Sequence, residues 1–248
     1  MPLITTEAII LQTHAYSETS KILRLLTQTH GVRSAIARGA LRPKSRYGGL
    51  LEPFTVGMAT LYLKDGRALQ TMSGFELVRS GQALGRDLLR FGAASLLAEV
   101  VLRTASEVAD PALYEQVRRA LHRLERAEPE AVESTALAET WALTDRLGFG
   151  PELEECLTCG RMLDAAEEAV FDHGAGGVRC VECGEGAPGR RLPTHARHAL
   201  GRGVRGEAVP LERTAAHWQL LARFLTYHLT DGGALRSLAF LTEAMEVG

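Results

Sequence analysis

Cys156-Leu157-Thr158-Cys159 and Cys180-Val181-Glu182-Cys183 are two CxxC pairs set twenty residues apart. Each CxxC turn aims two sulfurs at one point, and two turns at this spacing supply the four thiolates of a tetrahedral zinc site. Gly160 and Gly184 directly follow the pairs and permit the tight turns that zinc knuckles use. Four thiolates close the tetrahedron and leave no position for water, so the reading is one structural zinc ion. The competing readings are reduced structural cysteines or a redox pair. A redox CxxC normally opens a helix within a βαβ unit, a pattern not found here. His173, His195 and His198 are close in sequence; each reads as a surface histidine, with a substitute ligand role as the alternative.

A second chemistry is electrostatic. Residues 31–49, GVRSAIARGALRPKSRYGG, carry Arg33, Arg38, Arg42, Lys44 and Arg46 with no Asp or Glu. Gly39, Pro43, Gly48 and Gly49 break the second half into a loop. A cationic loop between apolar strand-like segments suits a phosphate backbone; a solvated basic surface loop is the plain alternative. Arg38, Arg42, Lys44 and Arg46 are the primary candidate contacts, with Arg33, Lys21, Arg24, Lys64 and Arg67 as a second tier. Tyr16, Tyr47 and Tyr62 stand as stacking rings or as core and rim tyrosines. No recognition-helix or base-reading pattern occurs, so sequence-specific readout is not expected. Residues 186–206 form a second acid-free stretch, with Arg190, Arg191, Arg197, Arg202 and Arg205.

Other chemistries find no support. The run from Gly39 to Lys44-Ser45 lacks the glycine before the lysine and the following helix of a phosphate-binding loop. There is no HExxH, no GxSxG and no dinucleotide fingerprint, and Glu18, Glu52 and Glu76 form no evident acid–base pair. The net charge of −2 argues at first sight against a nucleic-acid binder. The charge is segregated, however: residues 1–80 hold ten Lys/Arg against five Asp/Glu, whereas residues 105–170 hold six against fifteen. That asymmetry points to a basic working face beside an acidic body. Aromatic residues make up only 6%, too few for a sheet covered in base-stacking rings. No signal-peptide pattern opens the chain and no apolar run reaches a membrane span, so paired cysteines in a reducing cytoplasm are expected to bind metal.

The elements that must position these residues follow from periodicity. Residues 5–13, 21–27, 32–37, 50–63 and 69–78 read as five strands, with Gly57 marking a bulge and Lys64-Asp65-Gly66-Arg67 a hairpin turn. Five short strands with one long acid-free loop after the third fit a barrel of the OB type. From residue 81 the apolar spacing becomes helical. Asp110-Pro111 caps a second helix, Pro129 opens a third that ends at Gly148, and helical patterns return at 193–200 and 212–229. The expected class is α+β multidomain. Residues 1–80 form an OB-fold nucleic-acid-binding domain, and residues 81–248 a helical domain with a zinc segment, 151–190, inserted in it.

This order of elements, together with several short motifs, resembles the bacterial RecO family of DNA repair and recombination mediators. The motifs run from Ser17-Glu18 to Gly31, then Lys44-Ser45-Arg46 and Leu51-Glu52-Pro53-Phe54. Gly148-Phe149-Gly150-Pro151-Glu152-Leu153 leads into Cys156, Gly176-Gly177-Val178-Arg179 into Cys180, and Leu235-Arg236-Ser237-Leu238-Ala239-Phe240-Leu241 closes the series. The resemblance covers essentially the whole chain, although the cysteine quartet is not universal in the family. It implies a non-enzymatic protein, cytoplasmic and nucleoid-associated, that binds single- and double-stranded DNA and anneals complementary strands. It also implies cooperation with RecR in helping RecA displace the single-strand binding protein SSB, whose acidic C-terminal tail would meet arginines such as Arg90, Arg103 or Arg223. Two other classes stay open: a zinc-containing nucleic-acid-processing enzyme, which needs a carboxylate cluster for magnesium, and a helical protein-interaction adaptor.

Overall fold

The alternating apolar residues at the start of the chain close into a barrel in the computed structural model, which describes residues 2–64, 66–230 and 233–247. Its strands are β1 (Leu3–Tyr16), β2 (Ser20–Thr27), β3 (Gly31–Ala37), β4 (Val56–Tyr62) and β5 (Leu69–Arg79), closed in the order β1-β2-β3-β5-β4. β4 returns antiparallel to β1 from Leu3↔Tyr62 to Ile9↔Val56, and β3 meets β5 in parallel at Ser34–Ile36. This is the OB arrangement, in which closure removes the sheet edges. Ala8, Ile10, Leu23, Leu25, Ala35, Ala37, Ala59, Leu61 and Met72 point inward as the period-2 pattern requires.

The register shifts between Val56 and Gly57, where the bulge was expected, and again between Ile10 and Gln12. The fourth strand begins only at Val56; residues 50–55 are irregular and turn through Phe54, whose φ is 66°. Asp65 of the expected hairpin turn lies outside the described residues.

Two helices complete the first of two units, Met1–Arg126. α1 (Leu88–Thr104) starts at Asp87, whose carboxylate accepts from the Arg90 N–H at 2.8 Å. α2 (Pro111–Arg126) starts at Asp110, which accepts from the Leu113 N–H at 2.9 Å. Both are N-caps, each satisfying an orphan donor of the first turn. The helices are fastened to the barrel by polar ties as well as apolar packing. Tyr114 Oη donates to Glu7 Oε1 at 2.7 Å, Arg79 pairs with Glu125 at 3.0 Å, and Phe91 meets Phe54 edge-on at 5.7 Å. Burial, and then the Glu7 hydrogen bond, push the Tyr114 phenol far up. The strands end at Arg79, close to residue 80, while the division between compact units falls at Arg126/Ala127.

The second unit, Ala127–Gly248, holds α3 (Val132–Thr144), β6 (Ala169–Asp172), β7 (Gly177–Cys180), α4 (Val181–Gly184) and β8 (Arg190–Leu192). α5 (Thr194–Val204), α6 (Thr214–Thr230) and α7 (Arg236–Val247) follow. α3 packs on α5 and α6, with the Trp141 and Phe224 rings 5.1 Å apart. The three short strands pair antiparallel in the order β7-β6-β8. They occupy the glycine-rich interruption between helices, and Phe171 carries their core to Phe224 at 6.0 Å. Among the described residues no helix is long and apolar enough to cross a membrane.

Candidate metal centre and nucleic-acid interface

The small sheet exists to bring two turns together. Cys156 and Cys159 flank the turn after residue 155; the Cys156 N–H donates to Arg161 O, and the Gly160 N–H to Cys156 O, both at 2.9 Å. The second pair sits where β7 runs into the single turn α4. The Leu157 N–H donates to Val178 O at 2.9 Å, which holds the first turn against the second. Gly160 has φ 71°, a conformation that disfavours a side chain, whereas Gly184 is required for space, because a Cβ there would run into the side chain of Val170. As a result all four thiol sulfurs lie within 4.8 Å of one another.

The donor set fits zinc on its chemistry. Backbone N–H groups already point at sulfur, Cys180 N–H to Cys156 Sγ at 3.3 Å and Cys183 N–H to Cys180 Sγ at 3.4 Å, as thiolates require. Burial pushes the Cys156 thiol up, but hydrogen bonds from Cys159, Cys180 and Thr158 outweigh it and bring the thiol down to about 6. Cys183 moves the other way, to about 12, because its sulfur shares hydrogen bonds with Cys180 and Cys159. The sheet side buries Cys156 and Cys180, while Cys159 is exposed. Cys156, Cys159, Cys180 and Cys183 are thus the residues able to hold a metal ion.

Some of the basic residues meet in two hollows at the barrel's loops. Arg38, Arg42, Lys44 and Arg46 are all exposed, and none makes an ion pair with a described residue. Arg38 and Arg42 line a groove of about 420 Å³ together with Arg67 and Tyr16. The loop between β1 and β2 contributes Ser17 and Thr19, the β4–β5 loop contributes Arg67, and Ile36 of β3 lies between them. Those two loops and the outer face of strands two and three are where OB barrels hold oligonucleotides. The Leu41 N–H donates to Thr19 O at 2.9 Å, tying the basic loop to the β1–β2 loop. Arg67 also borders a neighbouring hollow of about 360 Å³ with Arg33 and Lys64.

Not every candidate cation is free. Lys21 Nζ donates to Glu52 at 2.7 Å and to Leu51 O at 3.1 Å, and Arg33 is held by Glu107. Arg46 lies over the Tyr47 ring, its guanidinium carbon 5.1 Å from the centroid. Tyr47 itself is buried and donates to Met72 O at 3.1 Å, so it belongs to the barrel core rather than to a stacking surface. Tyr16 and Tyr62 remain exposed. Ser17, whose φ is 55°, is a groove residue that the sequence marks only as part of a motif and not as a contact.

Comparison with known proteins covers both units of the chain. A family model described as the N terminal part of recombination protein O matches residues 1–81, and one for its C terminal part matches residues 85–239. The chain is 32% identical to a "DNA repair protein RecO" of a Nocardioides species over 95% of its own length and 97% of that protein's. A protein of the same name from Desulfatibacillum aliphaticivorans is 32% identical, with 98% of each chain covered. The chain belongs to the RecO family of DNA repair proteins.

In this RecO-family chain the second acid-free stretch is largely committed to structure. Arg197 is buried and donates to Leu153 O and Asp164 O, while Arg202 and Arg205 both pair with Glu207. Arg190 reaches Gln219 at 3.2 Å, and Arg191 lies 3.7 Å from Glu168; all of the five except Arg197 are exposed. The acid that balances Arg202 and Arg205, Glu207, lies one residue beyond the stretch, so a window ending at residue 206 overstated its charge. His173 and His195 have partners away from the thiols: His173 packs on Phe171, and His195 lies 4.0 Å from Glu212. Among the described residues the metal-binding group consists of the four cysteines alone.

Proposed function

We propose that this RecO-family protein is a non-enzymatic mediator that binds single- and double-stranded DNA without sequence preference and anneals complementary strands. Together with RecR it would help RecA load onto DNA coated by SSB. The observation that carries the proposal is the convergence of Arg38, Arg42 and Arg67, none of them ion-paired among the described residues, with Tyr16 on the groove between the β1–β2 and β4–β5 loops. Lys44 and Arg46 extend the same loop, and Arg33, Lys64, Lys21 and Arg24 form the outer set of contacts. In this reading residues 1–80 present the nucleic-acid face. Residues 81–248 form the helical body, with the zinc segment 151–190 inserted in it.

The chemistry required is modest. Guanidinium and ammonium groups neutralise phosphates and release counterions, which lowers the repulsion between two polyanions without nucleotide hydrolysis. No group has to bond covalently to the nucleic acid. One zinc ion on Cys156, Cys159, Cys180 and Cys183 would supply cross-linking energy to the second unit rather than catalysis, because its four ligand positions are filled. For the SSB tail, Arg90 and Arg103 are already engaged by Asp87 and Glu99, whereas Arg223 is exposed, which favours Arg223 as receiver of a carboxylate. A cytoplasmic, nucleoid-associated protein is consistent with this set of partners.

The test is annealing of labelled complementary strands, with and without SSB, alongside binding titrated against salt. Reversing Arg38, Arg42 and Arg67 to Glu should abolish annealing and binding while the melting curve stays in place. Cleavage of DNA in magnesium would instead favour a processing enzyme. Binding that ignores ionic strength would favour an adaptor.

A further inference from the structure

Two features of the barrel's outer face have no partner among the described residues. Arg24 lies on β2 opposite Gln12 and Ser34, on the face away from the core residues Leu23 and Leu25. Its side chain is half-buried, and its Nε is shielded from solvent with no hydrogen-bond partner among the described residues. An N–H kept from water without an acceptor is unfavourable, so the Nε of Arg24 is poised for an incoming anion. Ser34 and Ile36 continue this face along β3 to the groove, where Ile36 is a lining residue. At the far side of the groove stands Tyr16, 51% exposed although it is the last residue of a strand. It is followed by Ser17 at φ 55°, a backbone strain of the kind that the surroundings must hold in place.

We propose that this face is a single-strand-selective subsite. One unpaired base stacks on Tyr16 within the groove, and Arg24 takes a phosphate of the same strand farther along β2 and β3. The inference rests on the groove being the nucleic-acid site and adds what distinguishes one polynucleotide form from the other. Arg38, Arg42 and Arg67 attract any phosphate backbone. Stacking on Tyr16 needs a base with a free face, which a duplex interior does not offer. The protein would therefore hold unpaired strands through the ring and release that contact once the strands have annealed.

The experiment compares single-stranded oligothymidine with a duplex of equal length, at fixed salt, for Tyr16→Ala, Tyr16→Phe and Tyr16→Trp. The ratio of single-strand to duplex affinity should fall about tenfold in Tyr16→Ala and be kept in Tyr16→Phe. Trp141 and Trp218 are buried in the second unit, so in Tyr16→Trp the new indole should be quenched by oligothymidine and not by duplex. Arg24→Gln should lower the salt slope for single strands by about 0.7, with Arg24→Lys restoring it. An unchanged ratio in Tyr16→Ala, or equal quenching by both forms, overturns the subsite. Loss of binding to neither form on reversing Arg38, Arg42 and Arg67 to Glu overturns the groove itself, which is a separate failure.

Discussion

At the scale of single residues, Tyr47 shows how a ring can look like a ligand contact and serve as a bolt. It stands in the acid-free loop, directly after Arg46, yet its ring fills the barrel and its hydroxyl donates to Met72 O. Removing only the hydroxyl, Tyr47→Phe, should destabilise the protein by about 1 kcal/mol. Tyr47→Ala should lose about 3–5 kcal/mol as the cavity opens. Both are read from denaturant unfolding followed on the first unit. Nothing in local composition distinguishes an inward from an outward tyrosine in an irregular loop, because no period of 2 or 3.6 applies there. Arg33 was equally ambiguous: its acid, Glu107, lies seventy-four positions away, beyond any local charge count. By contrast, the cysteines were legible residue by residue, since CxxC geometry is local.

At the scale of elements, the barrel strands could be read because one face of each is buried, and glycines mark the turns around β3 and between β4 and β5. The three-stranded sheet of the second unit could not be. Its strands are three or four residues long, too short for alternation to rise above chance. Their stability comes from the turns they support, so the sheet and the thiols should fail together. Cys156→Ser with Cys180→Ser, or chelation, should lower the melting temperature of the second unit, and metal analysis of the untreated protein should find about one zinc per chain. A metal-free protein with the same melting profile would overturn the zinc assignment. A second element-scale effect is acid sensitivity at α6. Burial, assisted by His195, lowers the pKa of His217 below 6.5, in the hollow lined by Trp141 and Leu200. A folded pKa below the unfolded one contributes stability that is full above about 6.5 and is lost as pH falls through the folded value. Melting temperature should therefore drop from pH 7.5 to pH 5, and His217→Gln should flatten that drop.

At the scale of the whole chain, a net charge of −2 conceals the basic first eighty residues, and only the segregation of charge along the sequence points to them. The affinity for DNA should accordingly fall steeply between 50 and 200 mM salt; contact with about five phosphates of a single strand gives a slope near −3.5 in log–log form. A flat dependence would remove the electrostatic account.

The exposed cations of the β3–β4 loop do not hang on a free tether. The loop is fastened at Leu41 to Thr19 and at Tyr47 to the barrel interior. A polymer that settles onto Arg38 and Arg42 therefore meets charges whose spacing is already fixed, and little chain freedom is left to surrender on contact. Cutting the bolt at Tyr47 should leave every charge in place and still slacken the grip, a loss of affinity that adding back positive residues could not repair.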